Sequence, residues 1–125
     1  METAREPAVG GIQNVQRLVE FAKSLLGTPF SYKEFNCWHF VRKVYEKFNI
    51  PMQVGKQIEE IADFSDPLAI GKLILLKRRN DKSSRRYTHV AIYIGDNRVI
   101  HNTFYLGKRV VINTMEEIMI VYQIV

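Results

Sequence analysis

The chain has 125 residues, 46% of them hydrophobic and 25% charged, which fits one globular domain with a single modest core and excludes a disordered or fibrous chain. Its one cysteine excludes an internal disulfide and a cysteine-rich zinc site, so no metal or cofactor is expected. The net charge is +5, no apolar stretch approaches the roughly 18 residues of a membrane span, and residues 1–11 lack the apolar run of a secretory signal.

Residues 1–11, dominated by Glu, Pro, Ala and Gly, read as a flexible segment ahead of a single domain over 12–125. Val15, Leu18, Val19, Ala22, Leu25 and Leu26 recur at helical spacing, with Asn14 the expected N-cap, Gly27 the stop, and Pro29 barring continuation. A loop over 28–36 carries Phe30, Tyr32 and Phe35. Apolar residues at 37, 40, 41, 44, 45 and 48 then form one helical stripe, and Asn49 and Pro51 close it. Residues 52–70 are ambiguous: 58–62 fit one helical turn, and Asp66-Pro67 is a turn signal.

From Gly71 the pattern changes. Lys72-Leu73-Ile74-Leu75-Leu76 reads as a buried strand, and residues 88–94 and 98–103 as two more, joined by the hairpin signal Gly95-Asp96-Asn97. Residues 109–113 and 120–125 supply the last two. Between the first strands, Lys77, Arg78, Arg79, Lys82, Arg85 and Arg86 read as an exposed basic loop. It is either a solvated tip or a contact for an anionic surface. No aromatic residue interrupts this run, so nucleic acid is not expected as a partner. Helices first and about five strands after them predict an α+β domain, with helices packed on an antiparallel sheet.

Cys37 stands at the first turn of the second helix, where backbone amides favour a thiolate. A lone cysteine is ordinarily a small buried hydrophobe. His89 at the start of one strand and His101 in the next change its meaning. A thiol nucleophile needs an imidazole to take its proton, and that imidazole needs a third polar group to fix its tautomer. Register is the open point. A two-residue turn at Asp96-Asn97 places the two histidines on opposite faces, so a bulge or wider loop is required.

Asn36-Cys37-Trp38 with Phe40-Val41, Gly71-Lys72-Leu73, and His89-Val90-Ala91-Ile92-Tyr93-Ile94-Gly95 with Ile100-His101 resemble the NlpC-type cell-wall endopeptidases, which are papain-like cysteine peptidases. The resemblance spans residues 18 to about 103, and Trp38 with Val41-Arg42-Lys43-Val44-Tyr45 looks most like variants encoded in phage tail modules. It implies a papain-like fold, with Cys37 as nucleophile, His89 as general base and His101 as the group orienting it. It also implies a substrate: the amide between D-γ-glutamate and a diamino acid in peptidoglycan stem peptides. Tyr32 and Trp38 are candidate groove residues.

Four positions depart from the family pattern. Asn36 replaces an Asp beside the thiol, His39 a Gly, Lys72 the Asp of Gly-Asp-Leu, and Phe30 a Tyr whose hydroxyl Tyr32 would have to supply. His39 lies two helical residues from Cys37 and points away from it, as a packing or surface residue. The expected protein is therefore made in the cytoplasm without a signal peptide and acts at the cell wall, either virion-associated or after delivery by a phage tail or similar particle. The alternatives are a contact-dependent antibacterial toxin, whose partner would be an immunity protein, and a non-catalytic tail or adaptor component on a degenerate peptidase fold.

Overall fold

The computed structural model describes residues 12–50 and 70–125. Expectations for residues 1–11 and 51–69, including Pro51, the turn at 58–62 and Asp66-Pro67, fall outside the described residues. Helix α1 (Ile12–Lys23) and helix α2 (Cys37–Glu46) precede strands β1 (Leu73–Arg78), β2 (His89–Gly95), β3 (Arg98–Thr103) and β4 (Arg109–Thr114). A short helix α3 (Met115–Val121) and strand β5 (Tyr122–Ile124) follow. The sheet order is β4-β3-β2-β1-β5, antiparallel throughout. The α+β expectation holds, with helices on an antiparallel sheet of five strands.

The sheet is buried on both faces, which explains why β1 reads as a continuous apolar run. Leu73, Leu75, Val90, Ile92 and Ile100 pack against Leu18, Ala22, Phe40, Val41 and Val44 of α1 and α2. Ile74, Leu76, Ala91 and Val99 pack against Met115 and Ile118 of α3 and Tyr122 of β5. Gly27, at φ +87°, ends the turn after α1 and gives its N–H to Val110. Phe30 gives its N–H to Lys108, so the loop after α1 runs along β4 and shields that edge.

Two expectations need correction. Helix α1 starts at Ile12, so Asn14 lies inside it and not at its cap. The strand expected over 120–125 is α3 followed by the three-residue β5. The β-branched composition of this stretch suggested a strand, but a capping box decides otherwise. Thr114 Oγ1 accepts the Glu117 N–H, and the Glu117 carboxylate accepts the Thr114 N–H. Thr114→Ala is expected to cost about 1 kcal/mol and to lower the melting temperature by about 4 °C in a calorimetric scan. An unchanged melt would show that packing alone holds α3.

Candidate active site

Cys37 opens helix α2, and the residue before it caps that helix. Asn36 Oδ1 accepts the N–H groups of Trp38 and His39 at 2.9 and 3.1 Å, and His39 Nδ1 accepts the Asn36 N–H at 3.0 Å. His39 therefore stands where Glu or Gln ordinarily completes a capping box, and it fixes the helix start. Upstream, reciprocal hydrogen bonds between Ser31 and Phe35 close a small loop with Tyr32 exposed on it. The buried Asn102 on β3 donates its Nδ2–H to the Phe35 carbonyl at 2.6 Å, which fastens that loop just before Cys37.

Cys37 is buried, and burial pushes its thiol up to about 11. The N–H groups of Val90, Trp38 and Cys37 itself pull the other way and do not prevail. The thiolate expected from helix placement is thus corrected: loss of hydration outweighs the helix amides, and the resting sulfur is a thiol. It needs a base. The Asn36 cap serves Trp38 and His39, so it leaves the Cys37 N–H aside.

The two histidines meet because the hairpin contains the bulge that its sequence demanded. Asp96 and Asn97, at φ 54° and 61°, form a two-residue turn. The register runs Ile92↔Ile100 and Tyr93↔Val99, then shifts before Gly95↔Arg98, so Ile94 is the extra residue. That one-residue shift turns His89 and His101 to the same face. His89 Nε2 lies 2.7 Å from His101 Nδ1, and His101 Nε2 lies 2.8 Å from Asn113 Oδ1.

The direction of this chain follows from its far end. Hydrogen bonds from the Thr114 N–H and the Asn113 amide hold the Glu117 carboxyl below its ordinary range, so it is ionised and only accepts. Asn113 Nδ2 donates to it at 3.1 Å, which turns Oδ1 toward His101. His101 Nε2–H must then donate to Asn113, leaving His101 Nδ1 to accept the Nε2–H of His89. The neutral His89 therefore keeps its lone pair on Nδ1. Tyr122 stacks on the His89 ring at 4.4 Å and 11°, and its hydroxyl pairs with Thr103 at 2.9 Å.

Cys37, His89 and Tyr122 line one open cavity of about 680 Å³, together with Phe30, Tyr32 and Trp38. The cleft thus gathers four of the five residues singled out in the sequence; His101 stands behind His89, fully buried. Phe30 packs edge-on against Phe104 at 5.9 Å and offers no hydroxyl, whereas Tyr32 lies 79% exposed at the rim. Sequence reasoning missed Asn113 and Tyr122, which β4 and β5 bring in from the far end of the chain. It also read 77–86 wholly as a loop. Lys77 and Arg78 belong to β1, and Arg78 and Arg85 line the cleft. Among the described residues no group of His, Cys, Asp and Glu side chains is arranged to hold a metal ion.

Burial holds His89 well below its ordinary value and brings His101 down to about 4. An unfolded histidine takes its proton near 6.5, so between pH 6.5 and 4 the unfolded chain binds more protons. Stability present above pH 6.5 is therefore lost as pH falls through this window, by about 3 kcal/mol for His101 alone. Cys37 limits the other side, because its raised value costs stability as pH climbs past 9.0. Urea melts at about pH 5 and 7.5 test this; equal midpoints would mean that the imidazoles are hydrated.

No curated protein is significantly similar to the chain. Among solved structures it is similar to an NlpC/P60 family protein from Bacillus cereus, with 28% identity over 81% of this chain and 35% of that one, at a TM-score of 0.65. NlpC1 from Trichomonas vaginalis is 20% identical over 91% of this chain and 43% of that one, at 0.73. A lipoprotein-like NLP/P60 protein from Staphylococcus aureus is 24% identical over 84% and 37%, at 0.66. The latter two speak to fold alone, and the chain spans less than half the length of each of the three. A sequence match to the NlpC/P60 family covers residues 27–125, most of the chain, and says more than shared topology does: the chain belongs to the NlpC/P60 family, whose members are typically peptidoglycan hydrolases of the cysteine peptidase type.

Proposed function

We propose that this protein is a cysteine endopeptidase that cuts the D-γ-glutamyl–diamino acid amide of peptidoglycan stem peptides through a thioester on Cys37. One observation carries this reading: the hydrogen bonds running from Glu117 through Asn113 and His101 leave Nδ1 as the unprotonated nitrogen of His89, in the cleft that holds the chain's one thiol. Proton and sulfur move together. His89 Nδ1 takes the thiol proton as Sγ attacks the amide carbonyl, and the Cys37 N–H donates to the developing oxyanion. The C–N bond then breaks as His89 gives that proton to the leaving amine. A water molecule, deprotonated by the same Nδ1, attacks the thioester; the carboxylic acid leaves and the thiol is restored. Throughout, His101 accepts from His89 Nε2–H and steadies the imidazolium.

Action at the cell wall after delivery by a phage tail or similar particle is part of the proposal. It rests on the likeness of Trp38 and residues 41–45 to tail-module variants. The chemistry is tested by digesting purified peptidoglycan with wild type and with Cys37→Ala, and identifying the released stems by mass spectrometry. New termini at the glutamyl–diamino acid bond, with wild type alone, are expected. No release from either protein would leave the fold as a scaffold.

A further inference from the structure

The cleft has a cationic wall that the chemistry above does not use. Arg78, Arg85 and Lys108 all line it. Arg85 is offset by Asp81 at 3.9 Å, and that carboxylate also accepts the Ser83 N–H at 2.7 Å. Arg78 and Lys108 have no acidic partner among the described residues. Each is instead laid on an aromatic ring: the Arg78 guanidinium 4.8 Å over Tyr105, and the Lys108 ammonium 5.1 Å over Phe104. Those two rings meet edge to face at 5.2 Å, so the cations flank a single aromatic pair. A ring beneath a long cationic chain limits its rotamers and lowers the entropy lost on gripping a ligand.

Both cations are also fixed at the backbone. Arg78 is the Cα partner of Tyr122, the residue stacked on His89, and its N–H is held by Thr88 Oγ1 at 3.0 Å. Lys108 sits at φ 58°, in the left-handed region where Gly or Asn is the relaxed choice. Its carbonyl accepts the Phe30 N–H at 2.9 Å, which locks that turn against the cleft wall. A lysine kept at a strained turn position, facing a cleft and lacking a counter-ion, is a candidate ligand group.

We infer that Arg78 and Lys108 form a carboxylate subsite, and that the enzyme selects stem peptides in which the acidic residue on the acyl side keeps its carboxylate free. This rests on the proposed peptidase reading. A γ-linked glutamate reacts through its side-chain carbonyl, so its α-carboxylate stays ionised beside the scissile bond. A guanidinium accepts such a group in a two-pronged hydrogen bond, and an ammonium adds a point charge. When that carboxylate is a carboxamide, the charge is gone and the fork meets an N–H₂ donor.

The test uses two synthetic peptides, L-Ala-γ-D-Glu-diamino acid and its twin with the glutamate α-carboxylate amidated. Wild type is expected to favour the acid by at least about tenfold in kcat/KM, chiefly through KM, with the preference shrinking as salt rises. Arg78→Gln and Lys108→Gln each bring the acid-to-amide ratio toward one, and Arg78→Lys restores part of it. Equal turnover of both peptides by wild type, or variants that slow both alike, would overturn the subsite while leaving the peptidase intact. Should neither peptide be cut, calorimetric titration of both into Cys37→Ala still decides. Tighter binding of the acid, lost on adding Arg78→Gln, upholds the subsite; equal or absent binding overturns it.

Discussion

Cys37→Ala is expected to abolish stem-peptide hydrolysis, and His89→Ala to lower it about 10³–10⁴-fold at pH 7. The second figure follows from the thiol. With its pKa pushed to about 11, Cys37 is a thiolate in only about one molecule in ten thousand at pH 7, so without a base nearly every encounter meets an unreactive sulfur. The His89→Ala rate is then expected to climb about tenfold per pH unit, while wild type, whose proton acceptor is built in, stays nearly flat above neutrality. Because Cys37 is the only cysteine, alkylation by iodoacetamide reads the same quantity without a substrate. A His89→Ala protein that is alkylated and turns over as wild type does would remove the imidazole from the reaction.

The second large effect comes from a residue that touches neither thiol nor cleft. Asn113→Leu is expected to lower kcat about 10²-fold with KM nearly unchanged, and to cost about 1–3 kcal/mol of stability from the stranded His101 N–H. The cause is directional. Without Oδ1 to hold the proton on His101 Nε2, His101 is free to carry it on Nδ1 and donate toward His89. His89 then accepts through Nε2 and carries its proton on Nδ1, the nitrogen that the proposed reaction uses as base. Asn113→Asp keeps the acceptor and should stay within about tenfold of wild type. Nitrogen-15 shifts of the His89 ring distinguish this from loosened packing. They should report an Nε2–H form in wild type and Asn113→Asp, and a mixture in Asn113→Leu. A pure Nε2–H form in the leucine variant, with kcat still depressed, would sink the account.

What the sequence disclosed was local. The stripe through Cys37, Phe40, Val41 and Val44 is a helix, and Asp96-Asn97 turns a hairpin, because each signal lies within a few residues of its effect. The face shared by His89 and His101 was legible only as a requirement. Gly95, at φ 92°, was a visible hint of the bulge, yet nothing nearby said which strand carries the extra residue. Thr114 and Glu117 spelled a capping box, but the β-branched residues after them spoke for a strand. Asn113 and Tyr122 had no local mark. Their places depend on β4 pairing with β3 and on β5 crossing to the far side of β1, which strand pairing over the whole sheet decides. Arg78 was hidden differently: within a basic run, only the register of β1 separates the residue that faces the cleft from its neighbours.

A cysteine held as a neutral thiol has a consequence for its survival. Peroxide attacks the sulfur anion, so a neutral, sheltered side chain is oxidised slowly. The chain holds no second sulfhydryl to convert a sulfenic acid into an internal disulfide, so rescue of an oxidised molecule depends on a thiol from outside. The low resting acidity of that sulfur therefore acts as its antioxidant protection.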